Sequence, residues 1–154
     1  MADNADLARR VHEAWNERNF DEIAEATATD GTITIVGSGD TFEGVEGSRA
    51  YNKMWADGFP DAKVTVDRVI ESGDYVVVEF TGRGTHTGTL ATSMGDIPAT
   101  GRSLTLQLCD VMEFKNGKVQ SQKTYFDTGS MMAQLGLATE QIRAIIEKFD
   151  CIVY

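Results

Sequence analysis

Apolar positions recur at three- and four-residue spacing in the first third of the chain and at two-residue spacing after it, so helices come first and strands follow. In "LARRVHEAWNER", Leu7, Val11, Ala14 and Trp15 share one helical face, and Asp3, Asn4 or Asp6 can cap the helix. "FDEIAEATA" puts Phe20, Ile23, Ala24 and Thr27 on the face of a second, short helix that Asp30-Gly31 ends. "TITIV" is a short β-branched strand and "GSGD" a turn. "VEGSRAYNKMWADGF" is a third helix with Ala50, Met54 and Trp55 inward, stopped by Gly58 and Pro60.

The alternation that follows predicts two hairpins. "AKVTVDRVIESGDYVVVEFTGRGTHTG" turns at "SGD", and "SLTLQLCDVMEFKNGKVQSQKTYFD" turns at Asn116-Gly117, a strong two-residue hairpin signal. Between them "GTLATSMGDIPATGRS" is a long loop, with Met94 and Ile97 placed to act as a lid. "GSMMAQLGL" and "TEQIRAIIEKF" are terminal helices, the second capped by Thr139. The class is α+β, with a curved mixed or antiparallel sheet wrapped around three N-terminal helices and a C-terminal helix added. A sheet curled over helices makes a cone, and a cone opens into a pocket. One domain spans 1–154, of which 138–154 is a helical extension.

Composition narrows the partners. The 154 residues carry a formal charge of −10, and no Lys/Arg run interrupts it, so nucleic acid and anionic membranes are repelled. No apolar run reaches transmembrane length, and the polar, acidic start is not a signal peptide. Cys109 and Cys151 do not make a disulfide framework and are expected as reduced thiols in a cytoplasmic protein. The two histidines, His12 and His86, show no HxxxH spacing and there is no CxxC pair, so no metal site is expected.

Three residues are candidates for chemistry. Asp127 stands between Tyr125-Phe126 and Met131-Met132, where an apolar surround would raise its pKa toward a working acid/base value; its other reading is the N-cap of the following helix. Asp110, mid-strand, shares a face with Leu108, Met112 and Phe114, and an acid there needs a partner or a raised pKa. His86 sits at a strand end, where it either relays a proton beside a pocket or is tied to backbone. Trp15, Tyr51, Trp55 and Phe59 from the helices, with Met112, Gln107, Gln122 and Tyr125 from the last two strands, are candidates to bind substrate.

Residues Phe59 to Gly88, Thr100 to Val119 and Tyr125 to Leu137 carry a resemblance to the SnoaL-like polyketide cyclases of the NTF2-like superfamily, over about residues 5 to 137. The resemblance implies a cone-shaped α+β fold and an intramolecular aldol condensation, with no metal or organic cofactor. The single acid/base aspartate of that family falls on Asp127. It also implies a small apolar carbonyl compound as partner and a homodimer formed through the outer sheet face. The chain departs from the family at Gln122-Lys123, where many members carry a His-Trp pair. Asp110 is similar in position to the oxyanion-holding aspartate of ketosteroid isomerases, but that group's tyrosine and proton-shuttling aspartate fall near Val11 and Ile35, which move no protons. A limonene-epoxide-hydrolase-like relay of Asp110 and Asp127 with Arg83 or Arg102 has the residue types without the spacing. The alternative of a different class is a non-catalytic protein that binds a small hydrophobic ligand.

Overall fold

Side-chain caps set where the helices begin. In the computed structural model, which describes residues 3–93 and 95–137, Asp3 accepts the Asp6 amide N–H and opens α1 (Asn4–Asn16), and Asn19 accepts that of Glu22 and opens α2 (Phe20–Glu25). The chain then runs through β1 (Thr27–Ile35), β2 (Asp40–Glu43), α3 (Gly44–Gly58), β3 (Lys63–Ser72) and β4 (Tyr75–Thr85). It continues through β5 (Leu90–Thr92), β6 (Gly95–Ile97), β7 (Ser103–Lys115), β8 (Lys118–Phe126) and α4 (Thr128–Gln134).

The expected elements form, with four differences. The second helix stops at Glu25, where the Thr27 hydroxyl bonds the Ile23 carbonyl, and β1 starts at Thr27 rather than at Thr32. The short strand β2 was not expected; it pairs antiparallel with β1. The long loop contains a small hairpin, β5–β6. Ala50 faces solvent, because the buried stripe of α3 runs through Ser48, Tyr51 and Asn52. The expected helix "TEQIRAIIEKF" and the lid residue Met94 lie outside the described residues.

Six strands form one sheet in the order β2-β1-β8-β7-β4-β3, antiparallel except where β1 pairs with β8. Asn116 and Gly117 both take positive φ, the geometry an Asn-Gly hairpin turn requires. Register shifts at Val66/Arg68 and at Glu113/Phe114 mark bulges, which bend the strands so that one face closes over the helices. Ala8 of α1 packs against Val76, Val78, Phe80, Met112 and Phe114 of that face. Among the described residues no helix is long and apolar enough to cross a membrane.

Candidate active site

Strand alternation sends Leu104, Leu106, Asp110, Met112 and Phe114 of β7 inward. Asp110 is therefore the one carboxylate in an apolar row, and it is 3% exposed. An acid so placed costs several kcal/mol, of order, unless its oxygens are bonded, and both are. Oδ2 lies 3.0 Å from Nε2 of His12, and Oδ1 accepts the Thr124 hydroxyl at 2.8 Å. Thr124 is the cross-strand partner of Asp110 on β8.

Geometry assigns the proton on His12. Nδ1 lies 2.8 Å from the Ala8 carbonyl, which can only accept, so Nδ1 carries a hydrogen. Nε2 then faces the carboxylate and shares the remaining proton with it. Burial alone would lower the His12 pKa, but the hydrogen bond and charge of Asp110 outweigh it and hold the pKa above the ordinary histidine value. The pair is a buried imidazolium–carboxylate, with the Phe80 ring edge-on to the imidazole at 4.7 Å.

The network extends outward from Thr124. Having given its hydroxyl hydrogen to Asp110, Thr124 accepts from the Gln122 amide at 3.2 Å and from the Tyr51 hydroxyl at 3.3 Å. Burial, with the Asp110 charge second, raises the Tyr51 pKa far enough that the phenol stays protonated.

His12, Tyr51, Asp110 and Gln122 line one chamber of about 110 Å³. Most of its other walls are apolar, with Trp15, Trp55 and Phe59 among them. At about 10–15 Å³ of such space per water, it has room for about seven to eleven water-sized groups, or one substituted ring. Arg18 fixes Trp15, lying 4.1 Å above its ring while bonding the Pro60 and Ala62 carbonyls. Trp55 also lines a second, outer cavity of about 370 Å³ between α3, α4 and the β5–β6 hairpin.

The sequence candidates divide cleanly. Asp110, Gln122, Trp15, Tyr51, Trp55 and Phe59 come together at the chamber. Asp127 does not: it is exposed beyond the end of β8, lines neither cavity, and accepts the Ser130 amide N–H as the N-cap of α4. Of its two readings this arrangement matches the helix cap, with solvent around the carboxylate instead of an apolar wall. Gln107 and Tyr125 alternate onto the outer, exposed sheet face, and Met112 is core beneath the chamber, lining neither cavity. His86 is buried against Phe59 at 5.1 Å with Nδ1 on Thr100, outside the chamber, and burial lowers its pKa. Arg102 lies outside both cavities; Arg83 lines the chamber but is exposed, and with Asp127 outside the chamber neither arginine completes a relay. Ile97 lines the outer cavity. Among the described residues no cluster of three or more His, Cys, Asp or Glu could hold a metal.

His12 was missed as a site residue. The signal was present: it follows Ala8 by one turn and Val11 by one residue, on the buried side of α1, and a mid-strand acid needs a partner.

The description of the SnoaL-like polyketide cyclase family matches residues 5–135. No curated protein matches the chain. Among solved structures, IdmH of Streptomyces antibioticus, described as a candidate polyketide cyclase, is 27% identical, with 86% of this chain and 97% of that one covered at TM-score 0.69. A SnoaL-like protein of Jannaschia sp. CCS1 is 21% identical, with 88% and 92% covered at TM-score 0.77. A protein of Catenulispora acidiphila with a ketosteroid isomerase-like fold, solved with trimethylamine, is 19% identical, with 87% and 95% covered at TM-score 0.73. These likenesses give the chain the ketosteroid isomerase-like, NTF2-like fold.

Proposed function

We propose, for a chain that belongs to the SnoaL-like polyketide cyclase family, an acid/base enzyme that closes a ring in a small β-dicarbonyl compound, with Asp110 as the proton-transfer group. The observation that carries this is the His12–Asp110 pair opening on an apolar chamber. Both His12 nitrogens are spent, on Ala8 and on Asp110, so the imidazole positions the carboxylate and does not touch substrate. A carboxylate has about four acceptor sites and two are occupied, which leaves Asp110 able to take a proton from a bound molecule.

The base also selects the substrate. A carboxylate is a weak base, so it matches a carbon whose hydrogen is already acidic, as between two carbonyls. Asp110 takes that proton. The carbanion attacks a carbonyl carbon farther along the chain, forming the C–C bond as the C=O pair moves to oxygen. The protonated Asp110 returns its hydrogen to the alkoxide. Gln122 gives one N–H to Thr124, and its second is the donor for the enolate oxygen. The chamber's size supports a single new ring.

Methyl 3,5,7-trioxooctanoate, which closes one six-membered ring by this route, is the test substrate. Liquid chromatography with mass detection should show cyclised product forming faster than in buffer with the wild type and with Asp127→Asn, and at the buffer rate with Asp110→Asn. Turnover retained by Asp110→Asn would refute the assignment. A second reading, a non-catalytic ligand carrier, is favoured by one observation: the polar network closes on itself with no ligand atom needed. Wild-type binding of this triketo ester without acceleration would establish it.

A further inference from the structure

Buried polar groups without partners are rare in folded proteins, and each calls for an explanation. Two side-chain atoms among the described residues are buried with none: Nε2 of His86 and Oγ of Ser48. The two differ in place. His86 stacks on Phe59 outside the chamber, next to the Ile97 backbone. Ser48 is wholly buried on the inner face of α3 and lines the chamber. A serine within a helix ordinarily gives its hydroxyl to the carbonyl one turn back, and Ser48 does not.

Its neighbour one turn on is also polar. Asn52 is 4% exposed, lines the same chamber, and spends one N–H on the Ser48 carbonyl at 2.8 Å. Of the other polar residues of the chamber, His12, Tyr51, Asp110 and Gln122 are bonded through Thr124 or Ala8, Thr27 gives its hydroxyl to the Ile23 carbonyl, and Arg83 is exposed. Ser48 and Asn52 belong to no such network, so the chamber has two polar poles.

We propose that Ser48, assisted by Asn52, is a substrate-binding residue that hydrogen-bonds a second oxygen of the substrate, apart from the group Asp110 acts on. This rests on the chamber being the substrate site and adds to it the class of molecule: one with an oxygen function at each end, a hydroxyl or carbonyl at the Ser48 pole. A hydroxyl donates and accepts, so it serves either form. A substrate oxygen seated there would satisfy the unpartnered hydroxyl, and an apolar ligand would leave it unsatisfied.

Both tryptophans of the chain line the chamber and Trp55 also borders the outer cavity, so quenching of intrinsic fluorescence, compared with a Trp55→Phe form in which Trp15 alone reports, follows chamber occupancy. The probes are acetophenone and its 2′-, 3′- and 4′-hydroxy derivatives, titrated into wild type, Ser48→Ala and Ser48→Val, with thermal unfolding of each variant. At least one hydroxy isomer should bind the wild type about tenfold tighter than acetophenone, the ratio of one satisfied buried hydrogen bond. Ser48→Ala should erase that preference, keep acetophenone binding, and unfold no earlier than the wild type. A purely structural serine would instead lower the unfolding temperature and leave the preference. Preference that persists in Ser48→Ala, or no preference in the wild type, would overturn the proposal. Failure of every probe to quench the wild type would overturn the chamber as the binding site, and the proposal with it.

Discussion

Removing the Asp110 carboxylate in two ways separates its charge from its shape. Asp110→Ala leaves His12 Nε2 and the Thr124 hydroxyl, both buried, without the acceptor they now share. Breaking one side of a buried ion pair costs about 3–5 kcal/mol. For a chain of this size each kcal/mol moves the unfolding temperature by about 2–4 °C, so Asp110→Ala should unfold roughly 6–20 °C early. Asp110→Asn is different. Its amide oxygen can accept from Thr124, and its N–H can donate to a neutral His12 Nε2, so every hydrogen bond survives without charge at a cost of about 1 kcal/mol. The two variants also differ from the wild type in pH dependence. The folded His12 pKa is raised by Asp110, so the pair's contribution is fully present below the unfolded histidine value and is lost as pH rises through the folded one. In Asp110→Asn the charge is gone, and burial, the largest influence on His12, lowers that pKa against the smaller opposing effect of the Ala8 hydrogen bond. Its deficit against the wild type should therefore be larger at pH 5.5 than at pH 9. Circular dichroism melts at both pH values measure this. Asp110→Ala and Asp110→Asn melting within 2 °C of each other, with equal deficits at both pH values, would refute a charged pair.

Four further outcomes follow from other contacts. Asp127→Ala should lose about 1 kcal/mol from the uncapped start of α4 and keep wild-type turnover; loss of turnover at unchanged stability would restore the carboxylate to the chemistry. The His12 Cε1 proton, followed by NMR titration, should shift well above the ordinary histidine midpoint in the wild type and below it in Asp110→Asn. Gly82 faces the chamber, and a Cβ there would meet Leu108 at an ordinary 3.4 Å, so Gly82→Leu should fold and take up chamber space, weakening binding of ring-sized probes about tenfold or more. At Gly84 a Cβ would come within 2.8 Å of Ala62, so Gly84→Ala should melt early, and equal melting of the two glycine variants would contradict this packing.

The periods of three to four and of two carried most of the fold, because each helix and long strand buries one continuous face. They also carried Asp110, since strand alternation fixes its side, and the four aromatic walls. What they could not carry was register. Counting outward from the Asn116-Gly117 turn sets Lys115 opposite Lys118, and the same count would place Lys123 across from Asp110; the bulge near Gln120 moves Thr124 there instead. A lysine beside that acid would have made a simple ion pair. Asp127 was left between two readings for the same reason at the other end: β8 stops at Phe126, so the next side chain follows the helix and not the pleat. His12 was hidden because its partner lies 98 residues away, and one helical face has no way to announce which strand it will meet.

That separation and the parallel pairing of β1 with β8 give the site an order in time. His12 and Tyr51 leave the ribosome long before Asp110, Gln122 and Thr124, and β1 has only the four-residue β2 beside it until the final strand arrives. Long loops must close before these contacts repay the entropy, which places such topologies among the slower folders. A nascent or truncated chain ending short of residue 110 thus holds an imidazole and a phenol with no acid to organise them, and one ending short of residue 124 lacks the hydroxyl that joins phenol to acid. Proton-transfer capacity is acquired in one late step, when the last long strand docks between the first and the penultimate.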